Sequence, residues 1–485
     1  MVELASKMKL QSIAINNYRS IEEIHFPLSE IEQSYTYSLI GINESGKSSF
    51  LKAISLIGGI ESISFPQDFH DDLYPITINF EYNLAEEELL LLQEELLGKN
   101  FPADLFEEVS IQSVTVKAII QPNTSVSLEK KVDFALNKNI YNSHTLSEST
   151  VMIKAGAPEE EDLDLKRYLE ENLLNFILTK FHSIVFWKSD PRFLITDPIN
   201  LESFSADPEN FSIPLKNCFE LAGITDIPTE ISKIKTNPAE KNNLQERLGD
   251  IVTEHIKKIW PGHPIEIKFQ IDDTSVTFLV EDEGVKYKTK TTAQRSDGFK
   301  QFVSFLLSVS AQNSNSQLTN TILLLDEPET HMHPQGQENL RDELINISKS
   351  KLNNIVIFAT HSNFMIDKSH LERSYRVHKK GNEKTQVSSI DGGSASYSET
   401  NYIVFDIPTT DYHNELYGFL ERESREKLDD LPKEKNWINE KKGATEKVSL
   451  PTYIRHSIHH PENTKNKMYT QAELKRSIDT LRGLR

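Results

Sequence analysis

Cysteine is almost missing from this chain of 485 residues: Cys218 stands alone, which excludes an internal disulfide and reads as a buried thiol. Long apolar runs are missing too, and none reaches the ~18–20 residues that a membrane-crossing helix needs. The opening Met1-Val-Glu-Leu-Ala-Ser-Lys-Met8 lacks the basic-then-apolar order of a secretory leader, so the expected compartment is the cytoplasm. Positive charge is in deficit. Lys and Arg number 53 against 73 Asp and Glu, a net −20 that argues against a chain-wide electrostatic footprint for DNA or RNA. The densest basic patches are 433–447 and 455–485, so a local nucleic-acid contact is expected there or through a partner protein. Nor is there an internal repeat, or a heptad array long enough for an extended coiled coil.

What remains is a soluble-type composition long enough for two to four domains. Alternating apolar residues at 10–15 and 24–28 predict a hairpin, and 35–40 reads as a buried strand. A helix is expected over 47–57, with Phe50, Leu51, Ile54 and Ile57 on one face. Strands are expected at 76–82, 109–120 and 125–134, with an acidic helix at 85–97 among them. A second acidic helix at 160–182, a strand at 183–188 and helices at 215–222 and 243–260 follow. Strands at 265–270 and 276–280 lead back towards a second set of motifs. The Ser- and Gly-rich stretch 388–398 reads as a linker to a helical C-terminal piece.

Those motifs carry the chemistry. Gly41-Ile-Asn43-Glu44-Ser45-Gly46-Lys47-Ser48 lies between a predicted strand and a predicted helix, as a phosphate-binding loop requires. Its glycines let backbone N–H groups turn inward around phosphates at the positive end of the helix. Lys47 is suited to reach the β and γ phosphates, and the Ser48 hydroxyl to ligate Mg²⁺. Nearly three hundred residues later, the apolar strand 321–325 ends in Asp326-Glu327-Pro328-Glu329. Asp326 is suited to hold Mg²⁺ through water, and Glu327 to polarise an attacking water. A third strand, 354–359, ends in Thr360-His361-Ser362, where an imidazole can sense the γ-phosphate. Before them, Gln294-Arg295-Ser296-Asp297-Gly298 opens a helix with Phe302, Val303, Leu306 and Val309 on one face, and a Ser and a Gly at a helix start suit a phosphate.

In this order the elements resemble the ABC-type ATPases of the branch that holds the RecF, SMC and OLD-like proteins. The resemblance implies an α/β fold: an ABC-type P-loop head with a mixed β-sheet core and an antiparallel β subdomain, an inserted helical or mixed lobe, and a helical C-terminal domain. The head is expected at 1–135 and 263–387, the lobe at 136–262 and the C-terminal domain at 399–485. ATP and Mg²⁺ are the implied cofactors, and two heads are expected to close around two ATPs. The implied nucleotide contacts are Arg19, Gly41, Asn43, Glu44, Ser45, Gly46, Lys47, Ser48, Ser49 and Gln67, with Ser296 and Gly298 reaching the nucleotide of a second copy. Ser48, Gln67 and Asp326 are the implied magnesium ligands, Glu327 the catalytic base, His361 the switch, and 331–334 part of the dimer contact. Arg-Ser-Asp-Gly-Phe in place of Leu-Ser-Gly-Gly-Gln disfavours a transporter subunit. After Asp367 there is no strand-end glutamate with an Asp-x-Asp, which disfavours an intrinsic Toprim nuclease.

The layout is similar to the stand-alone ATPases of bacterial anti-phage systems of the Septu type. That similarity implies a sensor and assembly platform, a homodimer or larger even-numbered homo-oligomer, working with a separate HNH-type nuclease. The C-terminal Arg455 and His460 have the R-x4-H spacing of HEPN ribonucleases, in which an imidazole shuttles the 2′-OH proton while a guanidinium holds phosphate. Three alternatives stay open: an ATP-gated ribonuclease, a RecF-like DNA-repair ATPase, or a structural clamp that binds ATP with negligible turnover.

Overall fold

The segment Thr36–Ile40 (β3) buries every residue, as a strand covered on both faces does, and even its polar Thr36 and Ser38 are inside. The structure is a computed structural model of the chain, and it describes residues 8–59, 62–99, 111–123, 127–136, 165–196, 198–259, 265–272, 274–282, 284, 289–294, 300, 303–304, 307, 318–381, 383–390, 396–439 and 443–485. These fall into two compact units: 1–365 with 377–388, and 366–376 with 389–485.

The first unit is built on three sheets. Lys9–Tyr18 (β1) and Ile21–Pro27 (β2) form the expected hairpin, and Ile76–Asn83 (β4), Ile111–Ile120 (β5) and Leu128–Leu136 (β6) extend it into an antiparallel sheet ordered β2-β1-β4-β5-β6. The acidic helix Glu86–Gly98 follows β4, and the helix Leu165–Lys180, expected to be acidic but carrying Lys166, Arg167 and Lys180 against Glu170 and Glu171, follows β6. The central sheet runs β15-β14-β3-β13-β12-β7, with Ser183–Lys188 (β7), Thr321–Asp326 (β12), Ile355–Thr360 (β13), Ser374–Lys380 (β14) and Lys384–Ser389 (β15). β3, β13, β12 and β7 pair in parallel. β14 and β15 are neighbours separated by three residues, a connection only an antiparallel hairpin can make, so the sheet is mixed. A smaller sheet holds Ile199–Asn200 (β8), Ile265–Ile271 (β9), Ser275–Asp282 (β10) and Lys290–Thr291 (β11), with β10 pairing the other three.

The stretch 136–262, read from sequence as an inserted lobe, supplies β7 to the central sheet. The reason is physical: Ile184, Val185, Phe186 and Trp187 are apolar on both faces, and pairing in parallel with β12 at the edge of the central sheet buries all four. The helices Ile213–Leu221, Ile227–Thr236 and Pro238–Ile259 join the same hydrophobic core, through Leu215, Phe219, Ile231, Leu248 and Val252 together with Trp187, Leu323, Leu325 and Phe358.

Register sets the site. Ile40 stands opposite Thr360, Ala359 opposite Asp326, and Lys188 opposite Asp326. All four parallel strands therefore end at one level, and the loops that follow them open on the same edge, where α/β sheets place ligands.

The second unit is mainly helical. Tyr397–Phe405, Thr410–Glu423, Leu450–His459 and Gln471–Leu484 pack around Tyr412, Leu416, Leu420, Ile454, Leu474, Ile478 and Leu481. Ser396, Thr409, Ser449 and Thr470 cap these helices with their side chains, which satisfies N–H groups left open in each first turn. The segment 402–420 reads from sequence as a helix or a strand–helix piece with a cap signal at 408–411; it forms the end of one helix and most of the next, parted at Asp406, which takes a left-handed backbone (φ 57). Lys435–Ile438 (β16) and Thr445–Val448 (β17) add a small hairpin that sequence reading did not find.

A buried polar knot ties the first unit together. His182 bonds the Tyr82 hydroxyl through Nδ1 (3.0 Å) and meets the Asn353 amide through Nε2 (3.2 Å), while Asn353 also donates to Asn320 (2.8 Å). His182→Phe keeps an aromatic ring but takes the imidazole partner from the buried Tyr82 hydroxyl, while Asn353 keeps Asn320, and it is expected to cost ~2 kcal/mol of stability. Chemical unfolding checks this; an unchanged midpoint contradicts it.

Candidate active site

The loop after β3 is shaped by backbone that most residues avoid. Glu44 has φ 63 and Gly46 has φ 109. Gly46 caps the helix Lys47–Ser55 (α1) with no side-chain hydrogen bond, so the first-turn N–H groups remain available to an anion. A Cβ built on Gly41 collides with the Val377 carbonyl of β14, which explains that glycine by close approach rather than by dihedral freedom. Gly41, Ser45 and Lys47 are buried, Ser49 is half-buried, and Asn43, Glu44 and Ser48 face outward.

Lys47 gathers the site. Its Nζ donates to the carbonyls of Gly41 (2.9 Å) and Ile42 (3.2 Å) and lies 2.8 Å from His361 Nε2. Burial lowers its pKa, and the Glu327, Asp326 and Glu329 carboxylates oppose that shift and hold the charge. Ser48 Oγ donates to Asp326 Oδ1 at 3.0 Å, joining the N-terminal loop to a strand end 278 residues later. Burial raises the Asp326 pKa, and neighbouring Glu327 adds to it. A buried carboxylate beside a second carboxylate and a hydroxyl is a donor set that fits a hard cation. Among the described residues no group of three His, Cys, Asp or Glu side chains forms a metal cage. Ser48 and Asp326 would thus hold Mg²⁺ together with phosphate and water, the usual arrangement for that ion.

Glu327 sits just past β12 with φ 52, a strained conformation for a non-glycine residue. It is fixed there because its N–H donates to the Ala359 carbonyl (3.0 Å) and its own carbonyl accepts from Thr330 Oγ1 (2.9 Å). Its Oε1 lies 3.0 Å from His361 Nε2. One imidazole nitrogen therefore faces both an ammonium and a carboxylate. It accepts from Lys47 when it is unprotonated and donates to Glu327 when it carries the proton, and it cannot do both. Burial, with the Lys47 charge second, lowers the His361 pKa and favours the neutral ring.

Three residues of this edge were not picked out from sequence. Glu329 is buried, and its Oε1 accepts from Thr360 Oγ1 and from the His361 N–H (3.3 Å); burial pushes its pKa up to about 7. Its nearness to Glu327 in sequence was the available signal. Lys188, at the end of β7, is a further cation beside Asp326. Thr385 of β15 is buried and donates from Oγ1 to the Ser45 carbonyl (3.1 Å); nothing in its polar surroundings marks it in sequence.

The remaining expected residues are spread out. Arg19 (φ 52) pairs through Nε with Asp68 Oδ1 at 2.6 Å, and its N–H donates to the Asp68 carbonyl. Gln67 is exposed on the turn beside Asp68. His331 and His333 are exposed ahead of the helix Pro334–Ile347. Ser296 and Gly298 lie outside the described residues, as do Phe302, Leu306 and Val309, whereas Val303 and Leu307 are fully buried in the core. In the second unit, Arg455 and His460 are five positions apart, roughly 140° around a helix. Arg455 donates to Asn414 Oδ1 (2.8 Å) and lies over the Tyr417 ring, whereas His460 meets Glu462 (3.3 Å) and faces Trp437. The two side chains thus have different neighbours.

Comparison with known proteins follows this geometry. The Old nuclease of Escherichia phage P2 is 22% identical over 448 residues, which is 84% of this chain and 66% of the nuclease. An uncharacterized protein of Methanocaldococcus jannaschii is 26% identical over 137 residues, 27% of this chain and 35% of that protein. The chain therefore spans less than two thirds of the length of either relative. Among solved structures, an Smc head bound to the C-winged helix domain of ScpA is 14% identical, covering 79% of this chain and 98% of that one, with a TM-score of 0.42. The SMC head domain from Thermotoga maritima is 12% identical, covering 79% and 100%, with a TM-score of 0.36. These scores carry no argument, and the fold rests on the strands described above. The family model described as AAA ATPase domain matches residues 8–366, a span that takes in the P-loop, Asp326, Glu327 and His361. The chain belongs to the AAA ATPase domain family.

Proposed function

We propose that this chain is an ATP-binding and ATP-hydrolysing head that pairs with a second copy across the nucleotide, and that it serves as sensor and assembly platform for a separate HNH-type nuclease in anti-phage defence in the cytoplasm. The observation that carries the enzymatic part is the meeting of Lys47, Ser48, Asp326, Glu327 and His361 at one sheet edge, from three strands far apart in sequence. Lys47 exchanges its contacts with the Ile42 carbonyl and His361 for phosphate oxygens. Ser48 and Asp326 would hold Mg²⁺, which would supply neutralisation of phosphate charge. Released from Lys47, the His361 ring turns its Nε2 to Glu327 or to the γ-phosphate, and Glu327 orients the attacking water as general base. Arg19, at the β1–β2 turn and paired with Asp68, and Gln67, beside Asp68, approach the nucleotide. Ser296, Gly298 and 331–334 belong to the face that meets the second copy.

The link to a nuclease is supported by the likeness to Old nuclease, a protein named for that activity. In this reading the effector is a different polypeptide, docked on the helical C-terminal unit, and nucleic acid is met by that partner or by the basic end of the chain. Arg455 acts there as a brace between two helices through Asn414 and Tyr417, in preference to a ribonuclease role with His460.

Two substitutions test the site. Lys47→Ala is expected to abolish ATP binding in a calorimetric titration, and equal affinity in variant and wild type contradicts the phosphate assignment. Glu327→Gln is expected to bind ATP but lose steady-state hydrolysis by roughly a hundredfold or more, and to accumulate as an ATP-bound dimer in size-exclusion chromatography with light scattering. Unchanged turnover removes Glu327 from the base role.

A further inference from the structure

The phosphate-binding loop does not hold its shape alone. Behind it lies the β14–β15 hairpin, whose Val377 carbonyl sits against Gly41 and whose Thr385 side chain sits against Gly46. Thr385 is at the centre of a three-part chain. Its N–H donates to the Ser20 carbonyl (2.8 Å), and its Oγ1 lies 2.8 Å from Ser20 Oγ and donates to the Ser45 carbonyl at 3.1 Å. The single Thr385 hydroxyl proton goes to Ser45, so the Ser20 hydroxyl is the donor in the pair between them.

The Ser45 carbonyl and the Gly46 N–H belong to one planar trans peptide and point in opposite directions. Anchoring the carbonyl to the hairpin therefore turns the N–H away from it, to the side of the loop where phosphate is bound. We infer that Thr385 is a positioning residue of the nucleotide site: its hydroxyl fixes the Ser45–Gly46 peptide so that the Gly46 N–H is already aimed at phosphate before nucleotide arrives. The close fit also gives Gly46 a second reason to be glycine, because a Cβ there would strike the Thr385 side chain even if φ 109 were tolerated. The inference rests on the nucleotide reading above and adds a residue from outside every motif.

The test uses the full chain as wild type, Lys47→Ala, Thr385→Val and Thr385→Ser, with two readouts: MgATP affinity by calorimetry, and amide hydrogen exchange of the 41–48 peptide without nucleotide. Thr385→Val keeps the shape and removes the hydroxyl. It is expected to weaken MgATP binding roughly tenfold, as losing the partner of a buried carbonyl does, and to speed exchange in the loop. Thr385→Ser restores the hydroxyl and is expected within about twofold of wild type in both. Wild-type behaviour of Thr385→Val in both readouts overturns the inference, as does an equal loss in Thr385→Ser, which would assign the effect to packing. If Thr385→Val does not fold, Ser20→Ala leaves the threonine in place, and it supports the inference by faster loop exchange or overturns it by wild-type exchange. Failure of the wild type to bind ATP sinks the nucleotide reading, and the exchange arm then still decides whether Thr385 braces the loop.

Discussion

The site depends on a register. β3, β13 and β12 pair in parallel with Ile40 opposite Thr360 and Ala359 opposite Asp326, so the next residues along each strand emerge at one edge. A slip of one residue would turn each strand's alternate side chains to the other face and carry Lys47, His361 and Glu327 to different heights. Burial enforces the pairing, because every residue of β3 and β13 is inside and β12 is buried up to Asp326. Hydrophobic packing thus does electrostatic work, holding one ammonium among three carboxylates and an imidazole.

That arrangement is poised between two hydrogen-bonding states. The Lys47 ammonium is satisfied by its own loop and by His361, and the Ser48 hydroxyl by Asp326. In the proposed reading each of these bonds occupies a group that nucleotide and magnesium would claim, so binding would exchange partners rather than create charge pairs anew. Asp326 and Glu329 both resist ionisation through burial, and a cation held by Asp326 would relieve it of that cost. Glu329 ties the end of β13 to the turn after β12, so the imidazole and the proposed base are held by one scaffold.

How much of this was legible in the sequence follows from the range of each interaction. The loop 41–48, the Asp326-Glu327 pair and His361 could be read because each combines a short chemical pattern with an apolar strand just before it. The antiparallel sheet and most helices followed from local periodicity. The hairpin of β14 and β15 was not legible: Ser-Tyr-Arg-Val-His-Lys-Lys and Lys-Thr-Gln-Val-Ser-Ser carry little alternation, and they become strands by pairing beside β3, far away in sequence. Thr385 is invisible for the same reason. β7 was found as a strand but not as part of the central sheet, since local pattern says nothing about which sheet a buried strand joins. Arg455 and His460 show the reverse case, in which a sequence spacing is legible but the two side chains turn to different neighbours.

The central claim is that two distant stretches of chain grip one magnesium-bound triphosphate through Ser48 and Asp326. A double-mutant cycle on Mg²⁺-dependent ATP affinity, with Ser48→Ala, Asp326→Asn and the pair, tests it most directly. Shared ligation of one ion predicts strong non-additivity, with the double variant little weaker than the worse single and a coupling of ~1 kcal/mol or more. Losses that add to within ~0.5 kcal/mol would mean that the two residues act independently, and would contradict the account.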